Sequence, residues 1–249
     1  MKKFNPKIPL GKWFGIPVIL HWSWVALFLF VLWSSPAFAM VYAGVFVLVL
    51  MHEFGHAMAG RYFKFPTESI TLYPFGGMAR MDIPVDPKQE CLVAIAGPAV
   101  NAILFPVFLA LQQYEFCVLL GYYNVVLLIF NLVPALPMDG GRVLRSMLTI
   151  TMHDRHKATI ISARISQCIC VGFAILGMIF GLYMLVVIAF FIFMAAQSEI
   201  EHSKICKVAS FSSGRPITDS AEAMRVIQMR LANIRERYRD PLEEINNEE

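Results

Sequence analysis

Two histidines and a glutamate stand at His52, Glu53 and His56, in the order H-E-x-x-H, inside the apolar stretch VLVLMHEFGHAMAGRYF at 47–63. On a helix, residues four apart lie on one face, so both imidazoles reach one metal ion. Glu53, about 100° round from His52, then reaches a water on that ion. Zinc hydrolysis uses this arrangement: the ion lowers the pKa of its water from about 15.7 toward about 7, and the carboxylate takes the proton and passes it to the leaving amine. The plainer alternative is a helix whose histidines are hydrogen-bonded to their neighbours. A bilayer weighs against it, because an ionisable residue at mid-span costs roughly 2.5 to 3.5 kcal/mol on insertion scales and points first to function. Counted back from Ala59 at ~1.5 Å per residue, His52 lies about 10 Å and His56 about 5 Å inside the cytoplasmic end of the expected helix.

Catalytic zinc usually takes three protein ligands and a water, so one ligand is missing. It must be Asp, Glu or His, brought to the same depth by another segment. Asp139 fits, because it follows an apolar span in FNLVPALPMDGGRVL, whose Pro134 and Pro137 break the helix and let the chain fold back into the protein. An ordinary Asp-Gly-Gly turn at a helix end is the alternative, and spacing alone favours it.

The elements that must position these residues are apolar helices. Hydrophobic residues make up 57% of the 249, charged residues only 16%, and the mean hydropathy is +0.60, too apolar for an ordinary soluble domain. A bilayer core of roughly 30 Å needs about 20 apolar residues per crossing. Six windows qualify: 17–35, 37–60, 91–111, 117–136, 158–176 and 178–197, the last two divided only by glycines in one long apolar run. Lys and Arg collect on the cytoplasmic side of membranes. With both termini cytoplasmic, residues 1–12, 61–90, 137–157 and the tail after 198 hold four, four, four and eight of the 21 basic residues. The last, Arg164, lies within snorkelling reach of the same face, and the expected outward loops hold none. The fold class expected is therefore an all-α polytopic membrane protein of about six spans. Residues 1–198 form its membrane domain and 199–249 a cytoplasmic tail.

The start of the chain lacks the form of a cleaved signal peptide. The five cysteines form no C-x-x-C pair and read as reduced packing residues. A net charge of +3 gives no reason to expect nucleic-acid binding.

With HEFGH and the Asp139 stretch side by side, the chain resembles the site-2 protease family of intramembrane zinc metalloproteases. Within it, the chain looks most like the group that includes the sporulation factor cleaving a membrane-bound pro-sigma factor. The resemblance rests on five ordered elements between about residues 15 and 150: GIPVILHW, HEFGH, ITLYPFGGMAR, AGPAVN at 96–101 and NLVPALPMDGGRVLRS at 131–146. It implies that His52, His56 and Asp139 bind one Zn2+ and that Glu53 is the catalytic base. Met138 stands where a leucine is commoner, a departure that touches nothing catalytic. Asn101, in the position of the family's asparagine, would place the substrate backbone or stabilise the oxyanion, against the alternative of a helix-packing polar residue. Asn131 has a similar claim, with a structural cap near the Asp139 turn as the preferred reading. His21 matches a histidine of this group, although an interfacial histidine flanked by Trp22 and Trp24 explains it as well.

A helical substrate has its carbonyls hydrogen-bonded, so it must unwind locally before water can attack. Residues 69–82, SITLYPFGGMARMD, read as a β-hairpin turning at Phe75, Gly76 and Gly77, and the resemblance implies a membrane-associated hairpin there. Its edge strand offers β-augmentation to an unwound substrate, or the hairpin plugs the mouth of the site. Some relatives carry a PDZ domain or a CBS pair; neither is expected in the ~50 residues after the last span. Met224, Ile227, Leu231, Ile234 and Tyr238, interspersed with Arg225, Arg230, Arg235, Arg237 and Arg239, predict an amphipathic tail helix over about 220–239, N-capped by Ser220. Packing on the protein's own cytoplasmic face is expected of it in preference to the leaflet or a partner.

These readings converge on an intramembrane zinc endopeptidase of the cytoplasmic membrane. It would cut a membrane-tethered protein near the cytoplasmic face and release a regulator. A metal transporter would need polar residues continuing across the spans, and their outer halves have almost none. An inactive homologue that only holds membrane clients would have no use for Glu53.

Overall fold

The computed structural model describes residues 7–65, 67–74, 76–81, 86–214, 217 and 220–237. The chain runs β1 (Lys7–Trp13), β2 (Ile16–His21), α1 (Trp22–Ser34), α2 (Pro36–Tyr62), β3 (Thr67–Tyr73), β4 (Gly76–Met81), α3 (Pro87–Ala110), α4 (Glu115–Leu132), α5 (Asp139–Met152), α6 (Arg155–Ile179), α7 (Tyr183–Ser213) and α8 (Ser220–Arg237). Helix boundaries follow local chemistry. Ser35 and Asp86 cap α2 and α3, accepting from the amides of Phe38 and Lys88, and each is followed by a proline at the first helical position. Asp154 caps α6 through the Lys157 amide.

Five helices, α2, α3, α4, α6 and α7, are long and apolar enough to cross a membrane. They cover the last five expected spans, and large apolar side chains such as Phe180, Phe191 and Met194 point outward from them, as lipid-facing residues do. The first expected span, 17–35, differs. Its opening residues belong to β2, and only the 13 residues of α1 are helical, a rise of about 20 Å against the ~30 Å of a hydrocarbon core. The reason is local: Pro17 has no amide to donate within a helix, Val18 and Ile19 are β-branched, and the His21 side chain accepts from the Ser23 amide to start α1 at Trp22. A fold that is α-helical throughout, with only a hairpin added, therefore understates the sheet.

That sheet has four strands in the order β1-β2-β3-β4. β1 and β2 are antiparallel across a two-residue turn, Phe14-Gly15, with both residues at positive φ, as a type I′ hairpin demands. β2 and β3 are parallel, Val18 opposite Ile70 and Leu20 opposite Leu72. β3 and β4 form the expected hairpin, with Tyr73 opposite Gly76; Phe75 and Asp82 lie outside the described residues. Ile16, Val18, Leu20, Ile70 and Leu72 face Phe46, Leu50 and Ala57 of α2, so the sheet buries one face against the helix that carries H-E-x-x-H. β4 is left as an edge strand alongside α2.

Helix α7 continues unbroken through residue 198, where the tail was expected to begin. Ala223, Val226 and Ile227 of α8 pack against Ile205, Cys206 and Ala209 of α7 and against Ile217. The packed face is offset from the expected stripe: Ile227 belongs to it, while Met224 and Leu231 are exposed. The side chains of Ser220, Ile234, Arg235 and Arg237, and all of Tyr238 and Arg239, lie outside what the structure describes. All five cysteines are free thiols.

Candidate active site

His52 and His56 project from one face of α2, and both are buried. Asp139 is the first residue of α5. The chain reaches it through an irregular segment, 133–138, that leaves α4 after Leu132 and folds inward, burying Ala135 and Leu136. Helix α6 supports this segment, with Ser166 Oγ at 2.7 Å from the Leu136 amide that donates to it. Asp139 Oδ2 thereby lies 3.0 Å from His52 Nε2 and 3.1 Å from His56 Nε2, and the two Nε2 atoms are 3.1 Å apart. Among the described residues this is the one group of three or more His, Cys, Asp or Glu side chains close enough to hold a metal ion.

The donor set suits a metal. The other nitrogen of each ring has an acceptor, Val93 O at 2.8 Å from His56 Nδ1 and Asn101 Oδ1 at 2.6 Å from His52 Nδ1. With those protons committed, both Nε2 lone pairs and a carboxylate oxygen converge on one point, an arrangement that a cation relieves. The Arg142 guanidinium stands 3.6 Å from Asp139 Oδ1, a positive charge that favours the ionised carboxylate.

Glu53 lies beside the histidines, and its Oε2 accepts from the Ala79 amide of β4 at 3.1 Å. The hairpin presses on it closely. A Cβ on Gly77 would stand 2.7 Å from Glu53 Cγ and 3.2 Å from Val49 Cγ1, so only glycine permits this approach. Gly97 plays the same part on the other side, since a Cβ there would fall on the His56 ring and 2.7 Å from His52 Nε2.

The remaining expected residues divide. Gly76 and Gly77 lie at the turn over Glu53. Asn101 is fully buried with both ends of its amide engaged, Oδ1 by His52 and Nδ2 by Asn124 Oδ1 at 2.8 Å. This is the geometry of a histidine-orienting residue, with one of the two N–H groups of its amide taken by Asn124. Asn131 donates to Leu127 O, four residues back on its own helix, instead of capping the Asp139 turn. His21 caps α1 and packs against Tyr73 of the hairpin, with ring centroids 5.1 Å apart.

Sequence reasoning missed Asn124, although an asparagine at the middle of a mostly apolar span was the available signal. It also missed a buried ion cluster. Glu90 of α3, fully buried, pairs with Arg145 of α5 and with Arg155 of α6 at 2.9 Å, and Arg145 reaches Glu199 of α7 at 3.3 Å. The cluster ties α5, with Asp139 at its head, to α3, which holds both histidines from behind.

A model of the family described as Peptidase family M50 matches residues 40–116 and 108–173, more than half of the chain. The chain belongs to peptidase family M50, the site-2 protease family. This M50 chain is 33% identical over 209 residues to a zinc metalloprotease of Methanocaldococcus jannaschii, covering 78% of the chain and 61% of that relative. It superposes on the solved structure of the site-2 protease from the same organism with a TM-score of 0.61 at 33% identity, covering 78% of the chain and 95% of that structure. Stage IV sporulation protein FB of Bacillus subtilis is 31% identical over 134 residues, half of this M50 chain and 45% of that protein. The chain spans about three fifths of the length of the first curated relatives it matches.

Proposed function

We propose that the chain is an intramembrane zinc endopeptidase that cuts a membrane-tethered protein within or next to its transmembrane segment, near the cytoplasmic face, and so releases a regulator. The observation that carries this reading is the meeting of His52 Nε2, His56 Nε2 and Asp139 Oδ2 within 3.1 Å, with the Glu53 carboxylate alongside. Zinc, when bound by these three residues, would polarise the scissile carbonyl and acidify a water. The Glu53 carboxylate would accept a proton from the attacking water and pass it to the leaving amine.

The surroundings suit an unwound peptide. The edge of β4 beside Glu53 offers backbone groups to a segment that has lost its own helical hydrogen bonds. One helical turn from Glu53 along α2, Val45, Val49, Tyr42, Gly76 and Tyr123 line an apolar recess of about 320 Å³, which takes a large apolar side chain. In the same reading the chain lies in the cytoplasmic membrane. α1 and β2 together make the sixth crossing, and both termini are cytoplasmic, where the basic segments collect.

Glu53→Gln tests the proposal in cells co-expressing a tethered substrate. Cleavage is expected to vanish while zinc content stays unchanged, and Asp139→Asn is expected to lower zinc content. Equal cleavage by wild type and Glu53→Gln overturns the mechanism.

A further inference from the structure

Asn124 is the one buried residue among the described side chains of α4, a mostly apolar helix whose other residues are exposed or half-buried. A fully buried amide inside an apolar span is unfavourable unless each of its polar atoms has a partner. The partners here fix the orientation of every amide in the chain of bonds. Asn124 Nδ2 stands 2.8 Å from the backbone carbonyl of Asn101, and a carbonyl can only accept, so this end of Asn124 must be its NH2. Its Oδ1 then faces Asn101 at 2.8 Å, which requires the NH2 of Asn101 there. Asn101 Oδ1 is thereby turned to His52 Nδ1 at 2.6 Å and can only accept from it. The His52 proton is held on Nδ1, and the lone pair of Nε2 faces His56 and Asp139.

We propose that Asn124 is a positioning residue for the metal centre: acting through Asn101, it locks the side-chain amide that keeps His52 in its metal-binding tautomer. The inference rests on the metal reading given under Proposed function. Nothing local on α2 or α3 would do the same, because an asparagine amide turned by 180° about its last torsion presents NH2 to His52 and favours the opposite tautomer. The backbone carbonyl of Asn101, read through Asn124, is what distinguishes the two.

The test is a double-mutant cycle on the full-length chain in detergent, with zinc affinity measured by chelator competition. Asn124→Leu, apolar and of similar size, is expected to weaken zinc binding about tenfold, the lower end of what loss of an outer-shell partner does. In an Asn101→Ala background the same substitution is expected to change affinity by less than twofold, because its route to His52 is already cut. No weakening by Asn124→Leu alone, or equal weakening in both backgrounds, overturns the proposal; a packing role would act in both. Should Asn124→Leu fail to fold, ring-nitrogen NMR shifts of the histidine-labelled, zinc-loaded wild type decide. His52, assigned by its loss in His52→Gln, must show a protonated Nδ1 and a metal-bound Nε2, and the reverse overturns the inference. A wild type that binds no zinc fails the function proposal itself, whereas a zinc-binding wild type indifferent to Asn124 fails this inference alone.

Discussion

The hairpin meets Glu53 through the Ala79 amide and at one glycine, and Gly77→Ala measures how finely that approach is set. An alanine Cβ would stand 2.7 Å from Glu53 Cγ, 3.3 Å from Glu53 Cδ and 3.2 Å from Val49 Cγ1. Carbon atoms rest at about 3.5 to 4.0 Å, so either β4 lifts or Glu53 retreats by about 1 Å. A misplacement of that size in a reacting group lowers rate by about a hundredfold, or ~2.7 kcal/mol of transition-state stabilisation. The atoms nearest the new methyl belong to Glu53 and Val49 and not to the histidines or Asp139, so zinc content is expected to hold. The assay is cleavage of a co-expressed tethered substrate at matched expression, with zinc determined on the purified protein. Gly76→Ala is the comparison, since nothing lies within 4 Å of a Cβ there and its effect is confined to the strained φ of +157° at the turn. Activity of Gly77→Ala within threefold of wild type, or a fall matched by loss of zinc, refutes the view that this contact positions the base.

Other substitutions probe other parts of the site. Gly97→Ala places a methyl on both ligand rings and is expected to lower zinc affinity about a hundredfold, read by chelator competition. Glu90→Gln removes the carboxylate shared by two arginines in a buried cluster and is expected to destabilise the fold by about 3 kcal/mol, seen as a lowered unfolding midpoint in detergent. Val45→Trp fills the apolar recess and is expected to move cleavage toward sites with small side chains, mapped by mass spectrometry of the products.

Legibility of the site followed sequence distance. His52, Glu53 and His56 share one helix, and a helix converts spacing directly into a common face, so their geometry was readable before any fold was known. Asp139 is 83 residues from His56; its residue type and the two prolines before it made it eligible, and family resemblance selected it. Asn124 was equally eligible as a buried polar residue and passed unnoticed, because it acts at two removes through a partner on another helix. Asn101 was recognised, but its bond to His52 was not foreseen, since its type and position do not say which way its amide points. At the N-terminus, hydropathy merged β2 with α1, as apolar residues suit a buried strand and a lipid-facing helix alike.

The sequence by itself determined five of the six expected spans, the H-E-x-x-H face and the glycine turn at 76–77, because each depends on residues within a few positions of one another and on the period of the local backbone. Tertiary structure decided that Asp139 meets His52 and His56, that β4 stands over Glu53, that Asn124 bonds Asn101 and Asn101 bonds His52, and that Glu90 joins the helices behind them. Those pairings come from packing segments that lie tens of residues apart, and no local period carries that information.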